Sequence, residues 1–283
     1  MPGLTRALDL QLRSARFVLR RPVPLRSRLA PPDGRLVFVI GCPRSGTTFL
    51  GQALGSLPGF IELGECPPFK GAIPKLAALP RKAAARRAWR ILTAVRALGL
   101  VGRLRGVEHT PETSFITAAL AQAFPQARFV HLVRDGRDVA CSLLAEGWFA
   151  AGGQLVDETG RTRTDSARFW VEPERADQFE RVSEAQRCAW AWRRYVAAAR
   201  SAAPRPFELR YERMASDPAG AAAELAHFLD APEEPLAEVL GRAHGESIGR
   251  HERDLSTQQL EEVEAECGEL LRELGYAAAP RPG

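Results

Sequence analysis

The stretch from Leu36 to Leu57 constrains this chain more than any other. Leu36-Val37-Phe38-Val39-Ile40 is a run of five apolar residues, three of them β-branched, and it reads as a buried strand of a parallel sheet. Gly41-Cys42-Pro43-Arg44-Ser45-Gly46 follows as a loop. From Thr47 onward Leu50, Ala53, Leu54 and Leu57 recur at helical spacing until Pro58-Gly59 stops them. Strand, small-residue loop and helix start together make an anion cradle. The N–H groups of the loop and first helical turn lack internal partners, and the helix dipole adds about half a positive charge there.

The cradle is close to a nucleotide-binding Walker loop and departs from it at one position. Gly41 and Gly46 have the spacing of G-x-x-x-x-G-K-[ST], but Thr47 stands where the phosphate-binding lysine belongs. The cation comes instead from Arg44, inside the loop. Walker-type phosphoryl transfer depends on that lysine and on Mg²⁺, so its loss argues against an ATPase or kinase. Arg44 lies only two residues after Cys42, too close for a Cys-x5-Arg phosphatase loop. What remains is a loop shaped for a phosphate-like group, with an arginine and the hydroxyls of Ser45, Thr47 and Thr48.

The charge balance agrees with an anionic ligand. The formal charge is +5 and the pI about 9.2, values that nucleic acid or a membrane surface would also fit. Lysine occurs only at positions 70, 75 and 82, outside every candidate loop, so a fixed cation at the chemistry is expected to be arginine or protonated histidine. At 283 residues the chain suits one α/β domain with insertions, or one domain plus a small lid. Its five cysteines are scattered and form no C-x-x-C, which favours a reducing compartment without structural zinc. No run approaches the roughly 18 apolar residues of a membrane span.

Pro43-Arg44-Ser45-Gly46-Thr47-Thr48 resembles the 5′-phosphosulfate loop of sulfotransferases that use 3′-phosphoadenosine 5′-phosphosulfate (PAPS). The arginine form looks most like the bacterial and protein-tyrosine branch. The resemblance implies an α/β fold, a P-loop-type three-layer sandwich with a central parallel sheet and helical lid insertions. It divides the chain into a basic N-terminal extension, 1–30, and a sulfotransferase domain, 31–283. It implies transfer of the sulfuryl group to an acceptor hydroxyl on a sugar, lipid, peptide or small metabolite, with adenosine 3′,5′-bisphosphate as product. Neither a metal nor nucleic acid is expected. Golgi relatives are membrane-anchored, so a chain without a span looks like a soluble, cytoplasmic member. A P-loop kinase and a non-catalytic nucleotide-binding relative stay open as rivals.

The resemblance also assigns residues. Glu65 lies twenty-one residues after Arg44, at the end of a short strand Phe60–Gly64, where tyrosine sulfotransferases place their base. His109, in Glu108-His109-Thr110-Pro111, occupies a position that carries lysine in bacterial relatives and a catalytic histidine in cytosolic ones. It is therefore a second candidate base, or a donor to the bridging oxygen. A helix is expected from about 112 to 124. Arg134-Asp135-Gly136-Arg137-Asp138, after a second buried strand at 128–133, resembles the 3′-phosphate signature, with Ser142 two helical turns in. Arg137 and Asp138 are read as structural. Tyr211, at the end of a strand Phe207–Glu212, and Phe49 resemble the adenosine contacts. Arg250 falls where relatives close the site with a basic loop.

Three stretches carry less. Residues 1–30 hold seven arginines against one acid, with Leu4, Leu8, Leu12, Ala15 and Leu19 as an apolar stripe. This predicts a helix lying on the domain or a frayed arm, and is compatible with a transit peptide or weak contact with a membrane surface. Residues 72–105 read as two basic helices broken near Pro80. Residues 147–182, with Trp148, Phe149, Phe169, Trp170 and Phe179, suggest an acceptor-binding or lid segment, or aromatic anchors to the core.

Overall fold

β1 (Leu36–Ile40) is buried along its whole length and its side chains alternate between two cores. Leu36, Phe38 and Ile40 pack with helices on one face, Val37 and Val39 with helices on the other. That alternation, with both faces covered, is the physical origin of the three layers. The chain is seen here as a computed structural model that describes residues 2–20, 23–149 and 169–276. Among these, β1 is joined by β2 (Phe60–Gly64), β3 (Arg105–Glu108), β4 (Arg128–Val133) and β5 (Phe207–Arg210) in one parallel sheet ordered β2-β3-β1-β4-β5.

The main helices are α1 (Pro2–Arg20), α2 (Thr47–Gly55), α3 (Arg81–Leu98), α4 (Gly136–Glu146), α5 (Glu184–Arg200), α6 (Pro218–Leu229) and α7 (Thr257–Glu273). The first face of the sheet takes Leu10 of α1 and Ala88, Leu92 and Val95 of α3. The second takes Leu50 and Leu54 of α2 and Leu225 and Leu229 of α6. A third cluster joins α4, α5 and α7 around Val139, Leu143, Trp190, Trp192, Tyr195, Val263 and Leu271. α7 starts with a complete capping box between Ser256 and Gln259. From β1 the chain crosses to β2 and β3 on one side, then returns to β4 on the other. The crevice beyond the carboxyl ends of β1 and β4 is thus the switch point where open α/β sheets bind ligands.

Several expectations change. β3 was not expected as a strand: Arg105-Gly106-Val107-Glu108 has one large apolar residue, yet it pairs between β1 and β2. β5 ends at Arg210, and Tyr211 opens a short helix, Tyr211–Ser216, so Tyr211 and Glu212 are helical rather than extended. The expected 112–124 helix divides into a 3₁₀ turn, Pro111–Phe115, and a helix, Thr117–Ala123, with Ile116 outside helical geometry between them. α1 lies on the domain through Ala7, Leu10 and Ser14, not through the apolar stripe, whose Leu8, Leu12, Ala15 and Leu19 face outward. Within 147–182, residues 150–168 lie outside the described residues. The flanking aromatics Phe149, Trp170 and Phe179 are buried against Trp190 and Tyr195, and Phe169 stacks on Phe115 at 4.3 Å. They anchor the segment's ends to the core.

Candidate functional site

The loop after β1 turns back sharply through two left-handed residues. Arg44 has φ 70° and Gly46 φ 94°. At Gly46 a side chain would also meet the Tyr211 ring at 2.8 Å, so glycine is needed there for conformation and for space. Gly46 is the N-cap of α2 and offers no side-chain cap, which leaves the first-turn N–H groups open toward the crevice. Ser45 Oγ is buried without a hydrogen-bond partner, an orphan that an anion in the loop would satisfy.

A cavity of about 330 Å³ opens in front of this loop. Arg44, Gly46, Thr47, Thr48 and Phe49 from the loop and the start of α2 line it, together with Glu65, Arg134, Ser142, Tyr211 and Arg250. The cavity therefore gathers nearly all the residues singled out from the sequence. Two are missing from its walls: Ser45, which is buried beneath, and His109. Pro43 and Pro111, from the motifs themselves, also line it, with His244 and Ser247, which were not anticipated.

Arg134 leaves β4 and is held on several sides. Its guanidinium donates to the backbone oxygens of Arg44 (3.3 Å) and Ser247, and lies 4.9 Å from the centre of the Tyr211 ring. Its Nε is buried and unpartnered. The Trp192 indole donates to the Arg134 carbonyl at 3.1 Å, fixing the strand end from behind. Tyr211 donates through its hydroxyl to the His244 carbonyl at 2.8 Å. Arg44 reaches across the cavity: its Nε donates to Ser142 Oγ at 3.0 Å and its terminal nitrogen pairs with Glu146 at 2.9 Å. The loop arginine and the signature serine thus form one connected wall rather than two separate subsites.

Asp138 closes this wall. It is fully buried and accepts from the N–H of Gly249 (2.8 Å), the N–H of His251 (3.1 Å) and the His251 ring Nδ1 (2.7 Å). Burial pushes its carboxyl up, but these bonds outweigh that and hold it below the usual carboxylate range. The segment carrying Ser247 and Arg250 is thereby tied to α4. Arg137 is occupied by Asp135 at 2.7 Å, a structural pair.

The acidic side of the cavity needs one correction. Lys70 pairs with Glu65, so a lysine does sit at the candidate chemistry. Pro67 starts a one-turn helix, Pro67–Lys70, which folds Lys70 back over the carboxylate five residues earlier. His109 lies behind α2: a Cβ at Gly51 would come within 2.3 Å of its ring, and its Nε2 faces Glu62 Oε1 at 3.2 Å. Burial lowers the affinity of His109 for its proton, but the bond to Glu62 and the charges of Glu108 and Glu65 outweigh this and raise its pKa. His109 is buried and absent from the cavity lining, which places it poorly to accept a proton there.

Glu108, the last residue of β3, is fully buried and bonds to the Thr110 N–H (3.1 Å) and hydroxyl. Burial raises its carboxyl from 4.5 to about 7, against the pull of Thr110 and His109. An acid whose native pKa exceeds its unfolded value binds more protons when folded. The contribution of Glu108 to stability therefore falls as pH rises from about 4.5 to about 7. Glu108→Gln lacks this titration. Its unfolding free energy relative to wild type should climb across that window and level off roughly 3 kcal/mol higher. Denaturant melts of both proteins across pH check this, and a pH-independent difference contradicts it.

With the geometry in view, comparison with known proteins is direct. A family profile described as "Sulfotransferase family" matches residues 37–235, from β1 through α6 and beyond. Among solved structures, the sulfotransferase domain from the curacin biosynthetic pathway aligns at 14% identity and a TM-score of 0.51, covering 88% of this chain and 100% of that one. A sulfotransferase from Alicyclobacillus acidocaldarius aligns at 16% identity and 0.50, covering 85% and 94%. At such identities the likeness concerns the fold. A protein of Aquifex aeolicus (strain VF5), described as uncharacterized, is 30% identical over 145 residues, which take in 44% of this chain but only 18% of the relative's length. The profile covers well over half of the chain and includes the loop, Glu65, Arg134 and Tyr211, and on that ground this chain belongs to the sulfotransferase family.

Proposed function

We propose that this sulfotransferase takes PAPS as its donor and transfers the sulfuryl group to a hydroxyl of an acceptor. The observation that carries this reading is the gathering in one cavity of a lysine-free anion loop, a carboxylate at the end of β2, and the Arg134–Ser142 wall. The loop suits the 5′-phosphosulfate, through the open N–H groups of α2, the hydroxyls of Thr47 and Thr48, and the orphaned Ser45 Oγ. Arg134 and Ser142, with Arg250 alongside, suit the 3′-phosphate, and Tyr211 and Phe49 the adenosine. The unpartnered Arg134 Nε is in keeping with an anion that supplies its missing acceptor.

In this reading Glu65 takes the acceptor's proton as its oxygen forms the new bond to sulfur. The bond from sulfur to the bridging oxygen breaks, and adenosine 3′,5′-bisphosphate leaves with the electron pair. Lys70 orients Glu65, while Arg44 and the loop N–H groups offset charge on the departing phosphate. His109 acts from behind, through its pair with Glu62 beneath α2. The test is incubation with sulfur-labelled PAPS and a host extract, with chelator present. Labelled product is expected, and its mass identifies the acceptor. Transfer from a nucleoside triphosphate with Mg²⁺, and none from PAPS, would show a kinase instead.

A further inference from the structure

The outward face of α1 has no role in the site described. α1 meets the domain through Ala7, Leu10 and Ser14, and leaves Leu8, Leu12 and Leu19 exposed at 53%, 62% and 86%. With Ala15, these follow the alternating three- and four-residue step of a continuous helix stripe. The short helix Leu25–Leu29 adds exposed Leu25 and Leu29. Both helices are tied to the turn after α3, where Leu98 and Leu100 are exposed. Gln11 donates to the Leu98 carbonyl at 2.7 Å, Ser14 to that of Leu100, and Arg103 N–H to that of Ser27 at 3.1 Å. Most of the large exposed apolar side chains among the described residues thus belong to one corner of the molecule.

The segment that carries these leucines is rich in arginine. Residues 1–30 carry seven arginines and a single acid, Asp9, which is already paired with Arg13 at 3.0 Å. Arg13, Arg16 and Arg20 also line a cavity of about 290 Å³ between α1 and α2, where Glu62, bonded to Arg13, is the acidic member. Among the described residues no helix is long and apolar enough to cross a membrane. An apolar stripe flanked by cations, on a helix anchored by its opposite face, has the chemistry of an element that lies in the plane of a bilayer surface. A second copy would bring two strongly cationic segments together with one acid each to offset them. Nucleic acid would use the arginines and leave the leucines uncovered.

We infer that α1 and Leu25–Leu29 form a docking surface for an anionic lipid bilayer, with the leucines entering the headgroup boundary and Arg16 and Arg20 meeting lipid phosphates. The inference is independent of the sulfuryl donor. The test is co-sedimentation of the full chain with vesicles of phosphatidylcholine alone or in equal parts with phosphatidylglycerol. Sedimentation is expected with the anionic vesicles, and is lost at high salt. The Leu12→Glu/Leu19→Glu variant should release the protein while leaving thermal unfolding unchanged, because both side chains are exposed. Arg16→Glu/Arg20→Glu should lower the partition coefficient at least about tenfold, since each cation near such a surface contributes about fivefold. Failure of the wild type to sediment, or equal sedimentation of wild type and Leu12→Glu/Leu19→Glu, overturns the inference. So does light scattering that finds a wild-type dimer which the leucine variant converts to monomer, because the face is then covered by a second copy.

Discussion

Glu65→Gln is expected to lower kcat for sulfuryl transfer by about 10²- to 10⁴-fold, the range over which a positioned general base contributes. Affinity for adenosine 3′,5′-bisphosphate should stay near that of the wild type. The split is expected because Glu65, paired with Lys70, carries the same charge as the bisphosphate and supplies no donor to it, while Arg134 and Ser142 supply the donors. Glutamine keeps the size of the side chain and a contact with Lys70, and removes the basic oxygen. Single-turnover rates and equilibrium binding separate the two quantities. Near-normal turnover would transfer the base role to another group. His109→Gln serves as the comparison: His109 is buried behind α2 and its pKa is raised, so its loss should act through the packing of Glu62 and Gly51 and cost much less in kcat.

Arg134→Ala should weaken PAPS binding by about a hundredfold while adenosine 5′-phosphosulfate, which lacks the 3′-phosphate, loses far less. A charge-assisted pair between guanidinium and phosphate supports a loss of about 2–3 kcal/mol. Arg134 also holds the Arg44 and Ser247 carbonyls and packs on Tyr211, so some general loosening of the cavity accompanies the substitution. The ratio between the two nucleotides cancels that loosening. Equal losses for both would remove Arg134 from any 3′-phosphate role.

The parts of the fold that were legible in advance are those where local chemistry and tertiary role agree. β1, its loop and α2 carry an apolar run, two glycines at turning points and a helical stripe, and each feature points the same way. β3 is the opposite case. Its place between β1 and β2 is set by tertiary pairing, and its buried Glu108 gives a polar residue where a strand pattern expects an apolar one. Tyr211 reads as the end of a strand Phe207–Glu212, yet its ring is buried from the first turn of a helix.

Within the site, side chains with charge or special spacing could be read, and backbone partners could not. Arg134 binds the carbonyl of Ser247 and Tyr211 that of His244; a carbonyl oxygen leaves no mark in residue identity. Lys70 was passed over because it lies in no loop of its own, and only the turn at Pro67 brings it to Glu65. The stripe on α1 was visible as a stripe. Which face the domain would claim depended on the shape of α3 and β2, and the domain claimed the other one.

The central claim is that the cradle after β1 and the wall beyond β4 together grip a nucleotide carrying a 3′-phosphate. Calorimetric titration of the full chain with adenosine 3′,5′-bisphosphate and, separately, with magnesium–ATP tests it most directly. Saturable heat from the bisphosphate and none from magnesium–ATP at the same concentrations is the predicted result. Tight uptake of magnesium–ATP with no response to the bisphosphate would contradict it.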